Sequence, residues 1–74
     1  MNAQQIQQAA TFAISQMNAE EKAVFTQMFE AGHHEITQKM AVGYACQAIH
    51  NQQVLASMAI DRMEEFSALI GDML

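Results

Sequence analysis

The sequence predicts an all-α protein, a helical hairpin with short N-terminal helices and one long C-terminal helix, and three observations support this. Proline, which interrupts helices, is absent from the 74 residues. The 13 alanines, 10 glutamines and 7 methionines are fair to good helix formers. Apolar residues recur at three- and four-residue spacing, which is the period of an amphipathic helix. Residues 1 to 74 are therefore expected to form a single helical domain.

The first helix is predicted over roughly residues 3 to 17. Its apolar positions are Ile6, Ala9, Ala10, Ala13 and Met17. Asn18 then has the character of a helix cap, because it stands three residues before Glu21, as in a capping box. Glu20 and Glu21 lie in the first turn that follows, where the helix dipole favours negative charge. A second helix is therefore expected to begin at this point.

The second helix is predicted to be short, with Val24, Phe25, Met28 and Phe29 on its apolar face. Gly32 is its expected end, because glycine readily adopts the left-handed conformation that terminates helices. The turn that follows is expected to contain His33, His34 and Glu35.

The third helix is expected to be long, because no strong stop signal appears between Ile36 and Gly71. A helix over this stretch would have about 35 residues and a length of roughly 50 Å. Gly43 lies among alanines and is expected to permit the close approach of another helix rather than to break this one.

Residues 40 to 60, here called the charge-free segment, contain no formal charge. On a continuous helix their apolar residues would fall on two separate lines, so the helix would need neighbours on two sides. The rest of the chain can supply one neighbour, and we therefore expect copies of the chain, or another protein, to cover the second side. The residues expected to mediate self-association are Met40, Tyr44, Ala48, Ile49, Leu55, Met58 and Phe66.

The midpoint of the charge-free segment is polar, with His50, Asn51, Gln52 and Gln53. This polarity argues against a membrane span, since burying such groups in hydrocarbon is costly. Between helices these side chains would form a layer that fixes register and oligomer state, and a solvated stripe is the alternative.

Histidine is the side chain that changes charge near neutral pH, so His33, His34 and His50 are candidates for a pH response. If His50 were buried in its neutral form, mild acid would loosen the packing around it.

Composition narrows the classes of partner and location. Three Lys and Arg residues against eight Asp and Glu residues give a net charge of -5, without a basic stripe for nucleic acid. A domain of this size hides only about 60% of its unfolded surface, so association is expected to assist folding. A single cysteine, Cys46, and an N-terminus without the features of a secretory signal favour the cytoplasm.

Catalytic and metal-binding signals are weak. Cys46 and His50 are four residues apart and could supply two zinc ligands, but two ligands do not make a site. No nucleophile elbow or glycine-rich phosphate loop is present, and the chain is too small to enclose a sizeable pocket. Neither an enzyme nor a bound cofactor is expected.

The string AIHNQQVLASMAI, preceded by residues 40 to 44, resembles the R-body, or killing-trait, proteins. These are small helical chains rich in alanine and glutamine that carry an asparagine followed closely by paired glutamines. The resemblance covers about residues 40 to 66. It implies a cytoplasmic structural subunit that polymerises into a coiled ribbon, which can unroll on acidification.

Two other interpretations remain open. The C-terminal pattern of Phe66, Leu69, Ile70 and Met73 resembles the last helix of type III secretion needle and inner-rod subunits, which also polymerise. The chain also has the character of a small acidic phage or bacterial protein that inhibits a host protein through an apolar helix face. A polymer subunit would form large homotypic particles alone, whereas an inhibitor would stop at a small oligomer.

Overall fold

The computed structural model describes residues 3 to 74, except for the side chain of Ile60. The described residues form five α-helices and no strands, which confirms the all-α class. The helices are α1 (Ala3–Ser15), α2 (Ala19–Glu30), α3 (His34–Ala45), α4 (Ile49–Ala56) and α5 (Ile60–Met73).

Local capping signals place the start of α2 and its end at Gly32 where the sequence predicts them, but the predicted turn is shorter than expected. Because α3 begins at His34, His34 and Glu35 belong to the helix rather than to the turn. The backbone N–H of Asn18 donates to the Glu21 carboxylate at 2.9 Å, and the Glu21 N–H donates to the Asn18 side chain at 2.8 Å, which completes a capping box. Gly32 has a φ of 83° and follows the end of α2. The N–H of Gly32 donates to the Phe29 carbonyl and that of His33 to the Met28 carbonyl, which is the Schellman pattern.

The core lies where α1, α3 and α5 pack against one another, and α2 packs mainly on α3. The largest apolar side chains that are fully covered are Phe25, Phe66 and Ile70. Along α1 the buried positions are Ile6, Ala9, Ala10 and Ala13, as the sequence predicts. Val24, by contrast, was predicted on the apolar face of α2 and is 39% exposed.

Gly71 allows α2 and α5 to approach closely. A Cβ atom at this position would lie 3.2 to 3.3 Å from ring atoms of Phe29. The helix does not end at Gly71, as the sequence suggested, but continues to Met73. The role of this glycine is therefore in packing rather than in termination.

The single long C-terminal helix predicted from the sequence is wrong, because three separate helices occupy this stretch. The chain turns at residues 46 to 48 and again at 57 to 59, so the stretch becomes α3, α4 and α5. The longest dimension of the Cα trace is 28 Å, which excludes a helix of roughly 50 Å. The radius of gyration is 11.0 Å, close to the value of about 11 Å expected for a compact domain of this length.

Candidate functional site

The end of α3 is held by two side-chain amides from α4. In a continuous helix the carbonyls of Ala45 and Cys46 would accept the backbone N–H groups of the residues four positions later. Here the Asn51 amide donates to the Ala45 carbonyl at 3.0 Å, and the Gln52 amide donates to the Cys46 carbonyl at 2.8 Å. The amides thus satisfy carbonyls at the end of α3 and hold α4 against it.

The polar layer predicted at residues 50 to 53 is therefore divided between two roles. Asn51 is only 4% exposed, and its amide bonds within the chain. His50 and Gln53 are exposed, and Gln52 is exposed although its amide is bonded to Cys46. The chain itself thus provides partners for the amides of Asn51 and Gln52, for which the sequence left open a layer between helices or a solvated stripe.

The outer face of α4 is uncharged and exposed. We define this outer face as the four exposed residues at helical spacing, Ile49, Gln52, Gln53 and Ala56. Ile49 is 75% exposed, more than any other exposed large apolar residue of the described chain. A large aliphatic side chain left almost fully in water is available for contact with another molecule.

A second apolar surface lies between α3 and α5. We call it the α3–α5 groove; it is lined by Glu35, Gln38, Lys39, Val42, Gly43 and Met63. Lys39 and Glu35 form an ion pair at 3.5 Å, so the two charged residues of the groove neutralise each other. Ile36 is 45% exposed and stands seven residues before Gly43, on the same side of α3.

The residues predicted for self-association fall into three groups. Leu55, Met58 and Phe66 are buried in the core of the single chain and are not available to a partner. Met40 and Tyr44 are half-buried and pack against that core, and Ala48 is half-buried at the start of α4. Ile49 is exposed.

The structure covers many of the apolar residues on which the self-association prediction was based. The apolar residues of the charge-free segment were expected to need a second chain, but most of them are covered when the segment folds back on its own chain. Self-association itself remains a prediction.

The three histidines are all exposed, so the buried neutral His50 considered from the sequence is absent. His33 is the N-cap residue of α3, and the ring of His34 meets that of Phe29 edge-on with centroids 5.5 Å apart. His50 lies beside Ile49 in the first turn of α4. The pH response remains a prediction.

Tyr44 and Glu21 link α3 to α2. The Tyr44 hydroxyl donates to the Glu21 carboxylate at 2.6 Å. The Asn18 backbone N–H and this hydroxyl together lower the pKa of Glu21, because both stabilise its ionised form. The carboxylate in turn raises the pKa of Tyr44. The pair locates α2 relative to the core.

Cys46 is a free, half-buried thiol at the end of α3, and burial raises its pKa. It is less readily ionised than an exposed thiol and lacks the low pKa of reactive cysteines. Within residues 3 to 74, His, Cys, Asp and Glu side chains do not converge in threes as a metal site would require.

The sequence interpretation missed the α3–α5 groove. Gly43 was expected to permit the close approach of another helix, but a Cβ atom there would meet nothing within 4 Å, so that expectation is wrong. Because α5 was taken to continue the same helix as α3, Met63 could not be placed in the same groove as Gly43. Recognition of the break at residues 46 to 48 would have brought them together. That break contains neither glycine nor proline, the residues that usually indicate one.

No protein family model matches the chain, and no curated protein or solved structure matches it. The likenesses to R-body proteins and to secretion needle subunits therefore remain predictions. Within residues 3 to 74, every helix falls short of the length and apolarity required to cross a membrane.

Proposed function

We propose that the chain is a cytoplasmic structural subunit that self-associates through the outer face of α4. The observation that carries this proposal is Ile49, a large aliphatic residue that is 75% exposed and lies in a stretch of sequence without charged residues. Its burial against another copy would be favourable by the usual hydrophobic effect, at no cost in charged groups removed from water.

The distribution of charge favours copies of the chain as partners at this surface. Each copy carries a net charge of -5, so two copies repel each other over most possible contacts. The charge-free segment, which begins after Lys39 and ends before Asp61, includes the whole outer face of α4. Contact there brings two acidic molecules together without placing carboxylates opposite one another.

The expected contact is weak. The outer face belongs to a helix of eight residues, and stable complexes bury about 800 Å² on each partner, more than one short helix offers. Association should therefore depend on concentration, and large particles would depend on repetition of the contact. A ribbon like that of the R-body proteins, which residues 40 to 66 resemble, would be one such assembly.

Sedimentation velocity from micromolar to millimolar concentration tests the proposal. The unmodified chain should sediment faster as concentration rises, and Ile49→Gln should remain a monomer. Val24→Gln is the matched control, because Val24 is an exposed β-branched residue on a different helix, α2. A monomeric unmodified chain at millimolar concentration, or equal association of Ile49→Gln, would contradict the proposal.

Binding to a different protein is the second candidate, and another groove favours it. This groove lies between α1, α2 and the end of α5, with Ile14, Ala23, Met73 and Leu74 as its apolar lining. Lys22 and Glu30 also line it, and neither has an ion pair within 4.0 Å among the described residues, so the groove offers one charge of each sign to a partner. In this case the chain alone would remain monomeric, and Met73→Gln would weaken a complex with the partner.

A further inference from the structure

We propose that copies also meet through the groove between α1, α2 and the end of α5, here called the α2 groove, with two α2 helices antiparallel about a two-fold axis. The occupant of the groove is α2 of a second copy rather than a different protein. This inference rests on the proposed self-association through α4 and adds a second contact to it. The α2 side of the groove consists of Lys22, Ala23, Thr26, Gln27 and Glu30.

The α2 groove differs from the rest of the surface in carrying two charges that are not paired within the chain. The chain has three basic residues, and Lys39 and Arg62 each form an ion pair with a glutamate of their own helix. Among residues 3 to 74, neither Lys22 nor Glu30 has a group of opposite charge within 4.0 Å. The groove therefore offers a free positive charge and a free negative charge to another molecule.

The spacing of these two charges makes the α2 groove complementary to itself. Lys22, Thr26 and Glu30 follow one another at four-residue intervals, so they lie on one side of α2 with Thr26 midway. Eight residues of helix separate the two charges by about 12 Å along the axis. A two-fold axis at Thr26 places Lys22 of each copy opposite Glu30 of the other, as an isologous contact requires. One contact thus contains two ion pairs between copies.

The other grooves of the chain lack this complementarity. The two charged residues of the α3–α5 groove, Glu35 and Lys39, pair with each other within the chain. The groove along α1, between Gln4 and Ser15, is lined by uncharged residues alone. Charge therefore specifies a second copy at the α2 groove and at neither of these two.

Apolar side chains at the edge of the α2 groove add to the contact. Met73 and Leu74 line it and are 43% and 38% exposed, so their burial by a second copy is favourable through the hydrophobic effect. The acidic residues next to the groove in the sequence, Glu20, Glu21 and Asp72, are not part of its lining. Two acidic copies thus meet here with opposite charges facing each other.

The α2 contact is expected between pairs of copies rather than between single copies. Exposed ion pairs contribute little individually, so one α2 contact alone is weak. A pair joined through α4 by a two-fold axis presents two α2 grooves. Two such pairs that meet at both grooves form a closed tetramer, the commonest symmetric assembly after the dimer. The two α2 contacts then form together and reinforce each other.

Reversal of the two charges tests this inference, with sedimentation equilibrium of the full chain up to millimolar concentration as the measurement. The unmodified chain should reach four copies. Lys22→Glu and Glu30→Lys should each stop at the α4 dimer, with association of dimers weakened about tenfold or more, because either reversal turns every attraction in the contact into repulsion. The double variant Lys22→Glu/Glu30→Lys again places opposite charges face to face and should recover four copies.

The controls separate this contact from general effects of charge. Lys39→Glu changes the net charge as Lys22→Glu does, but it lies on α3 and should leave the tetramer intact. Glu30→Lys makes the chain less acidic, so a loss of assembly in this variant cannot come from general repulsion. Lys22, Glu30 and Lys39 are all exposed, so the variants should fold, which circular dichroism establishes.

Three results would overturn the α2 contact while the α4 contact stands. These are an unmodified chain that stops at two copies, a single-reversal variant that reaches four copies, and a double variant that does not recover. An unmodified chain that stays monomeric at millimolar concentration would overturn the proposed function, and this inference with it.

Discussion

The packed core and the short helix α4 use similar uncharged residues for different purposes. In the core, Phe66 and Ile70 of α5 are fully covered by neighbouring helices. In α4, Asn51 and Leu55 are buried, whereas the outer face, with Ile49 at its start, is exposed. The difference teaches that a long uncharged stretch does not by itself indicate a single helix or an interface. The positions of the turns determine which apolar residues remain exposed.

The two regions should differ most in how much stability is lost when an apolar side chain is truncated to alanine. Phe66→Ala should lower the free energy of unfolding by about 3–5 kcal/mol, because it leaves a cavity in the core. Ile49→Ala should change it by less than about 0.5 kcal/mol, since the side chain is mostly in water. Urea denaturation followed by circular dichroism measures both. Similar losses in the two variants would show that Ile49 is packed within the chain.

Replacing the side-chain amides of α4 with alanine should lower the free energy of unfolding by different amounts. Asn51→Ala should lower the free energy of unfolding by about 1–3 kcal/mol, because it removes a buried hydrogen bond to the Ala45 carbonyl. Gln52→Ala should cost less, because its bond to the Cys46 carbonyl is exposed, and Gln53→Ala should have almost no effect. The same urea titrations provide the comparison. An Asn51→Ala protein as stable as the unmodified chain would mean that this bond does not hold the end of α3.

Two glycines in the third and fifth helices should respond in opposite directions. Gly43→Ala should raise the free energy of unfolding by about 0.5–1 kcal/mol, because alanine favours the helix and its Cβ meets nothing. Gly71→Ala should lower it by about 1 kcal/mol, because the new Cβ would press on the Phe29 ring at 3.2 to 3.3 Å. Thermal unfolding of the two variants measures the difference. Equal stabilisation by both would show that the Phe29 ring moves aside freely.

A smaller effect should appear with pH at the contact between α2 and α3. The Asn18 N–H and the Tyr44 hydroxyl lower the pKa of Glu21 in the folded chain. The ionised Glu21 carboxylate therefore contributes to the free energy of unfolding at pH values above 4.5, the pKa that Glu21 has in the unfolded chain. This stabilisation is lost as the pH falls through the lower pKa that Glu21 has in the folded chain. The pKa of Tyr44 is raised, so its contribution is full below 10.0 and is lost as pH rises through the folded value.

Urea midpoints measured from about pH 6 to pH 3 should therefore fall less steeply in Glu21→Gln than in the unmodified chain. Glu30→Gln is the control, because Glu30 is an exposed carboxylate on the same helix. Identical pH slopes in the two variants would remove the contact between Glu21 and Tyr44 as a source of acid sensitivity.

Features set by neighbouring residues could be predicted from the sequence. The capping box of Asn18 and Glu21 and the helix end at Gly32 depend on a few adjacent residues, and both were found as expected. The break at residues 46 to 48 depends on side chains that reach back six residues, from Asn51 to Ala45 and from Gln52 to Cys46. Helix periodicity carries no signal for such bonds.

The residues of the candidate site could likewise be predicted only in part. Periodicity assigns residues to one side of a helix only while the helix continues, so the break separated residues that had been placed together. Ile49 remained exposed, whereas Leu55 and Phe66 turned into the core. The groove formed by Gly43 and Met63 joins two helices that the sequence interpretation treated as one.

The central claim is that the charge-free segment folds back within one chain and leaves the outer face of α4 exposed. Backbone 13C chemical shifts of the dilute chain, measured by NMR, test it most directly. They should be helical in α3, α4 and α5 and lose helical character at residues 46 to 48 and 57 to 59. Uninterrupted helical shifts from residue 36 to residue 70 would contradict the account.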